Sequence, residues 1–298
     1  MRAPCIAVLA VAVALSPARA QTAPADSLAN ALRTRIAALP GAEVAVYFRD
    51  LTRADSVVLN ADTRFHAAST MKVAVMIQVF RDADAGLLDL RARVPVANTF
   101  HSIADSATFS VDSTDDSDRS LYHQVGQEVR IEELVRLMIT RSSNLATNLL
   151  IERVGADRVR ASMHALGADS LRVLRGVEDG AAYRAGLNNT TTARALGIVM
   201  AAIANGEAAG AAACGRMLEI MSDTEDRDGI PAGLPRKTRF AHKTGEITAV
   251  RHDAGVVYVR GRPRYVIVVL TRGIAEMAAA NRLIADLASL VHAYVEAH

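Results

Sequence analysis

The chain has 298 residues, 34 Lys and Arg against 32 Asp and Glu, and 51% hydrophobic residues. That length is enough for one large core or two interleaved lobes. The near balance of charge, with no basic patch carrying interleaved aromatics, argues against a nucleic-acid partner.

The first twenty residues read as a cleavable secretory signal. Arg2 gives the positive start, Ile6 to Leu15 the apolar run, and Ala18, Arg19 and Ala20 a small-residue site with the cut expected after Ala20. The run is too short for a membrane span, so a periplasmic or secreted product is expected. Cys5 would leave with the signal, and Cys214 would stand alone in a monomer without a disulfide.

Residues 27–38 read as a helix ending before Pro40 and Gly41. Ala42 to Arg49 alternates loosely as a strand does, with Val57 to Leu59 as a short partner. Residues 70–81 are apolar on every side, the pattern of a buried central helix. From Pro95 to Gln127 the pattern dissolves into a polar stretch with the acidic residues Asp112, Asp115, Asp116 and Asp118. The spacing and turn glycine of a calcium loop are missing there, so the run reads as a solvated loop.

Helical periodicity returns at 131–139, 145–154, 157–165, 191–204 and 212–221. The period then switches. Thr238 to Glu246, Ala254 to Arg260 and Arg264 to Thr271 read as strands separated by turns such as Gly261-Arg262-Pro263, before a last helix over 275–297. The expected fold is therefore α+β, an α-β sandwich. One antiparallel sheet forms from both termini with flanking helices, and an all-α lobe is inserted in the middle. As domains, residues 21–298 form a single catalytic unit, its α/β lobe about 21–66 and 223–298 and its all-α lobe about 67–222.

Only three of the 34 basic residues are lysine: Lys72, Lys237 and Lys243. Arginine does not readily lose its proton, whereas a desolvated lysine does, so the scarce lysines draw attention. Lys72 closes Ser69-Thr70-Met71-Lys72, a three-residue step that puts both side chains on one helix face. Ser69 would sit at the helix start, where free N–H groups favour negative charge. Lys72, buried at the foot of the helix, would be able to accept a proton. The plainer reading is a capping serine with an incidental lysine.

Ser142-Ser143-Asn144 lies between two expected helices. There a hydroxyl could relay a proton, and a carboxamide could bind both a carbonyl and an ammonium. Lys243-Thr244-Gly245 lies on an expected strand. Its cation and hydroxyl suit a carboxylate, and its glycine would let an acyl chain lie against the strand edge. Each of the last two also reads as an ordinary turn or strand end.

In this order and with these gaps, the three motifs resemble those of class A β-lactamases and the penicillin-recognising transpeptidases. The resemblance covers about residues 27–297. It implies a serine hydrolase acting on a small-molecule β-lactam through an acyl-enzyme on Ser69, with no cofactor and no metal. Lys72, Ser142, Glu178 and Lys243 would be its other catalytic groups. Asn144, Thr244, Gly245, Glu246 and Arg251 would bind substrate, and Asn148 would brace the loop that carries Glu178.

The chain departs from the family where Ala182 replaces an asparagine, Ser143 an acid and Glu246 a smaller residue; Asn188 or Asn189 could stand in for the first. The rival expectations are a D-alanyl-D-alanine peptidase that is acylated but deacylates slowly, and a non-catalytic descendant.

Overall fold

The computed structural model describes residues 23–298, so the expected signal and its cleavage site lie outside the described residues. The chain opens with α1 (Ala23–Ala37), β1 (Glu43–Asp50), β2 (Ser56–Leu59) and β3 (Phe65–His66). A single 3-10 turn, Ala68–Met71, then leads into α2 (Lys72–Asp84). The polar stretch holds only short strands, β4 (Arg93–Pro95), β5 (Phe100–His101), β6 (Thr108–Phe109) and β7 (Glu128–Arg130).

Helices follow: α3 (Ile131–Thr140), α4 (Asn144–Val154), α5 (Ala156–Ala165) and α6 (Gly180–Arg184). After β8 (Thr190–Thr191) come α7 (Ala193–Ala204) and α8 (Ala211–Ser222). The chain closes with β9 (Phe240–Ile247), β10 (Val250–Val259), β11 (Arg262–Arg272) and α9 (Met277–Ala297).

The main sheet runs β2-β1-β11-β10-β9, antiparallel throughout, and so joins both ends of the chain. It is covered on both faces, which is why β1 alternates only loosely in sequence. Val44, Val46 and Phe48 point to one core with α1 and α9. Ala45 and Tyr47 point to the other, which holds α2, α3, α4 and α7. A Cβ on Gly197 of α7 would fall 2.2 Å from the Tyr47 ring, so glycine lets this helix lie directly on the sheet.

Two local expectations change. β10 begins at Val250 rather than Ala254, because Arg251, His252 and Asp253 are buried strand residues with polar partners. The β10–β11 turn is made by Arg260 and Gly261, both at positive φ, while Arg262 and Pro263 already belong to β11. β9 is an edge strand, and its C-terminal half lies against the 3-10 turn before α2. That junction positions the site.

Candidate active site

Ser69 stands in the 3-10 turn at the start of α2, half-buried. The residue before it, Ala68, has φ 46, left-handed backbone that costs an alanine about 1 kcal/mol. Two histidines hold this turn. The Nδ1 atom of His66 accepts the Ala68 N–H (3.0 Å), and buried His252 of β10 donates from Nε2 to the His66 carbonyl (2.9 Å). Burial, and then the charge of Arg175, lower the His66 pKa, which keeps that ring an acceptor. A Cβ on Gly245 would fall 2.9 Å from the Ser69 nitrogen, so only glycine lets β9 approach the nucleophile's amide so closely. The Ser69 hydroxyl has no hydrogen-bond partner among the described residues and faces the cavity.

Lys72 follows one turn later and is wholly buried. Its Nζ donates to the Ser142 carbonyl (2.6 Å), to Asn144 Oδ1 (2.8 Å) and to Ser142 Oγ (3.3 Å). Burial, and next the charge of Lys243, hold its pKa well below the usual lysine range, against the pull of Asp116 and Glu178. Lys243 Nζ donates to the same Ser142 Oγ (3.1 Å) and to the Thr244 carbonyl (2.9 Å). Its pKa is pushed down to about 8 by burial, with Asp226 and Asp253 pulling the other way. Ser142 therefore joins two buried lysines through one hydroxyl, on a backbone at φ 61.

Asn144 is the second joint. While its Oδ1 accepts from Lys72, its Nδ2 donates to Glu178 Oε1 (3.1 Å). Glu178 Oε2 accepts the Asp112 N–H (2.8 Å), and burial raises the Glu178 pKa despite these bonds. Glu178 also has left-handed backbone, φ 65. Ala68, Ser142 and Glu178 are thus three non-glycine residues with stored backbone strain at one site. Asn148 brackets the loop as expected, donating to the Val177 carbonyl (2.9 Å) and accepting the Val177 N–H (2.7 Å).

Ala182 is buried in α6 and brings no polar side chain toward Glu178. Asn188 and Asn189 do not replace it. The former accepts from Arg175, and the latter ties the backbone of Leu174 and Arg175.

The acidic run corrects the solvated-loop expectation. Asp116 is buried, and its Oδ2 accepts the Asn144 N–H (2.9 Å), the Leu145 N–H (3.0 Å) and the Tyr122 hydroxyl (2.9 Å). It places a carboxylate at the N-terminus of α4, where the free amides and the helix dipole favour one. Asp118 is also buried, whereas Asp112 and Asp115 are exposed. No local pattern announces Asp116, since the helix it caps lies 28 residues away. His66 and Asp226 are likewise site residues that the motifs do not reveal.

A cavity of about 790 Å³ brings together Ser69, Ser142, Asn144, Glu178, Lys243, Thr244, Gly245 and Glu246. Lys72 and Arg251 stand behind its wall. Arg251 is buried rather than an exposed strand residue, and its guanidinium is bound to Asp226, Glu246 and Asn281. A serine at a helix start behind a strained alanine, two desolvated lysines and a carboxylate of raised pKa are the components of nucleophilic acyl transfer.

Known proteins resemble this chain over most of its length. A β-lactamase of Streptomyces fradiae is 29% identical over 290 residues, 96% of this chain and 92% of that protein. The structure of PBP-A superposes with a TM-score of 0.79 at 26% identity, covering 91% of this chain and 97% of the other. A mutant of PBP-A seen as an acyl-enzyme with penicillin G matches with a TM-score of 0.78 at the same identity, over 92% of this chain and 97% of that one. A β-lactamase from Sphaerobacter thermophilus gives 0.74 at 25% identity, over 92% of this chain and 98% of that one. The sequence model of the β-lactamase enzyme family matches residues 27–295, essentially all that the structure describes, and the chain belongs to that family.

Proposed function

We propose that this chain hydrolyses β-lactams by way of an ester on Ser69. The observation that carries the reading is the joint at Ser142, whose hydroxyl lies between the buried ammonium groups of Lys72 and Lys243 and lines the same cavity as Ser69. Such a joint suits proton transfer at the point where a ring nitrogen must leave.

Lys243 and Thr244 hold the substrate's polar end, with Arg251 behind them, while Asn144 and the exposed edge of β9 hold its amide side chain. Ser69 attacks the lactam carbonyl. Lys72 receives the proton by giving up its longest bond, the 3.3 Å contact to Ser142 Oγ, once burial has made the neutral amine accessible. Glu178 acting through a water is the other route.

The backbone N–H groups of Ser69 and Glu246 receive the oxyanion; one such donor is typically worth about 3 kcal/mol of barrier. Ser142 passes a proton to the departing nitrogen. Glu178 then activates the water that cleaves the ester, burial having raised its pKa and so made it a stronger base than an ordinary glutamate. The proposal takes residues 21–298 as one catalytic domain, exported after cleavage at Ala20 and working as a monomer.

A second reading is favoured by one feature. With Ala182 in α6, Asn144 is the single side-chain amide bound to Glu178 among the described residues. Poor positioning of the water would leave a slowly deacylating, peptidase-like enzyme. Turnover of a chromogenic cephalosporin, with intact mass spectrometry after a penicillin pulse, separates the two. Hydrolysis with a transient adduct on the Ser69 peptide is expected. An adduct on another serine, or hydrolysis surviving Ser69→Ala, would remove the proposal; an adduct that persists favours the peptidase-like reading.

A further inference from the structure

The corner assigned to the substrate's carboxylate already holds a carboxylate. Asp226, in the loop between α8 and β9, accepts from Arg251 Nη2 at 2.9 Å through Oδ1 and meets Nη1 at 2.8 Å through Oδ2, a two-pronged pairing. The Thr244 hydroxyl hydrogen-bonds the same carboxylate, whose charge also supports the buried ammonium of Lys243. The Asp228 N–H adds a further donor at 3.2 Å. Glu246 takes the remaining side of Nη1 at 2.9 Å, and Asn281 takes Nε at 2.7 Å. Guanidinium, hydroxyl and ammonium are the set that would receive a carboxylate from outside; here the guanidinium is paired with Asp226, the hydroxyl bonds it, and the ammonium, held by Ser142 and Thr244, feels its charge.

We propose that Asp226 is an internal occupant of the carboxylate subsite, which makes the enzyme select β-lactams uncharged at the position next to the ring nitrogen over the corresponding free acids. The inference rests on the proposed acylation of Ser69 and specifies which substrates reach it. An arriving carboxylate meets Asp226 and Glu246 on Arg251, and both acids line the cavity. It either displaces Asp226 from Arg251 or binds against like charge. An ester or amide at that position does neither.

The test compares benzylpenicillin with its methyl ester. Wild-type protein is expected to show a kcat/KM for the ester at least equal to that for the acid. Asp226→Asn, which removes the charge and keeps the shape, should raise the acid-to-ester ratio by about tenfold or more, through KM for the acid. A second readout needs no turnover. Sodium sulfate, against sodium chloride of equal ionic strength, should stabilise Asp226→Asn saturably in thermal melts and leave wild type unmoved.

Wild-type preference for the free acid by more than tenfold overturns the inference, even if the variant fails to fold. An unchanged ratio in a folded variant without sulfate stabilisation overturns it as well. If benzylpenicillin and its ester neither acylate nor turn over in either protein, the proposed function fails. The sulfate melts then still decide whether Asp226 fills an anion subsite.

Discussion

The two walls of the cavity are built by different means. On the nucleophile wall, Ser69, Lys72, Ser142 and Lys243 come from a helix start, a tight turn and an edge strand. Their buried ammonium groups are spent on one another's neighbours at 2.6–3.3 Å. On the water wall, Glu178 is held by loop contacts, from Asp112 and Asn144 directly and from Asn148 through Val177. The first wall is tight, charged and unforgiving of shape. The second is polar, assembled from segments far apart in sequence, and able to change one contact at a time. Acylation should therefore respond to substitution as an all-or-none unit, and deacylation in graded steps.

The sharpest way to break that comparison is Lys72→Arg. Arginine keeps the charge but has no proton to give up at working pH, and its planar head does not fit three acceptors placed around an ammonium. Acylation by a penicillin should fall by about 10³–10⁴-fold in single-turnover mass spectrometry. Exposed Lys237→Arg should change nothing. Equal effects at the two positions would mean that the buried ammonium has no special role.

Glu178→Ala tests the other wall. The ring should still open, but the ester should accumulate to one per enzyme, with steady-state turnover down about 10²–10³-fold. Unchanged turnover would assign the water to another group. A wild type that already stalls would favour the slowly deacylating reading.

The walls should also titrate apart. A folded pKa of about 8 for Lys243 lies below its usual 10.5, so the fold disfavours the charged form. Between those values the unfolded chain binds more protons, and this group's contribution to stability rises with pH through the window and is lost as pH falls toward 8. Activity toward an anionic substrate runs the other way, since binding its negative charge needs the ammonium. For an anionic penicillin, kcat/KM should fall about tenfold per pH unit above about 8. Lys243→Arg should abolish that limb. Glu178 supplies the acid limb: its raised pKa means that the carboxylate is protonated, and deacylation slows, at a higher pH than an ordinary glutamate would impose. A profile flat above pH 8 would refute the assignment of Lys243.

What the sequence disclosed divides along the same line. The nucleophile wall is legible because its chemistry is local: Ser69 and Lys72 share a helix face, and Lys243, Thr244 and Gly245 are consecutive in β9. The sheet is legible for a similar reason, as Val44, Val46 and Phe48 still show their period beside Ala45 and Tyr47 although both faces are covered. The water wall is legible only through the family resemblance, which names Glu178, Asn144 and Asn148 but not the acidic run that supports them. Asp116, in a run that looks like a solvated loop, is buried because it serves amides at Asn144 and Leu145. Arg251, His252 and Asp253 hid the start of β10, since each satisfies its polar atoms with a residue distant in sequence. The two-residue ribbon of β3 and β8 offers no period to read.

The smallest expected effect falls on Asp116, and it sharpens the comparison by separating support from chemistry. Its carboxylate touches no cavity atom of Ser69, Lys72 or Lys243, but it accepts both first amides of α4 and the Tyr122 hydroxyl. Asp116→Asn keeps the shape and removes the charge that the helix N-terminus favours. Losing an anionic cap while retaining a neutral one should cost about 1–2 kcal/mol in urea unfolding, with m unchanged. Asn144 anchors to Lys72 on one side and Glu178 on the other, so a loosened α4 should slow both half-reactions, by a few fold and by similar factors. If deacylation alone slows, Asp116 acts on Glu178 through its charge, and the water wall is electrostatically coupled rather than merely supported. If acylation slows by orders of magnitude, the two walls are one mechanical unit, and the contrast between them fails.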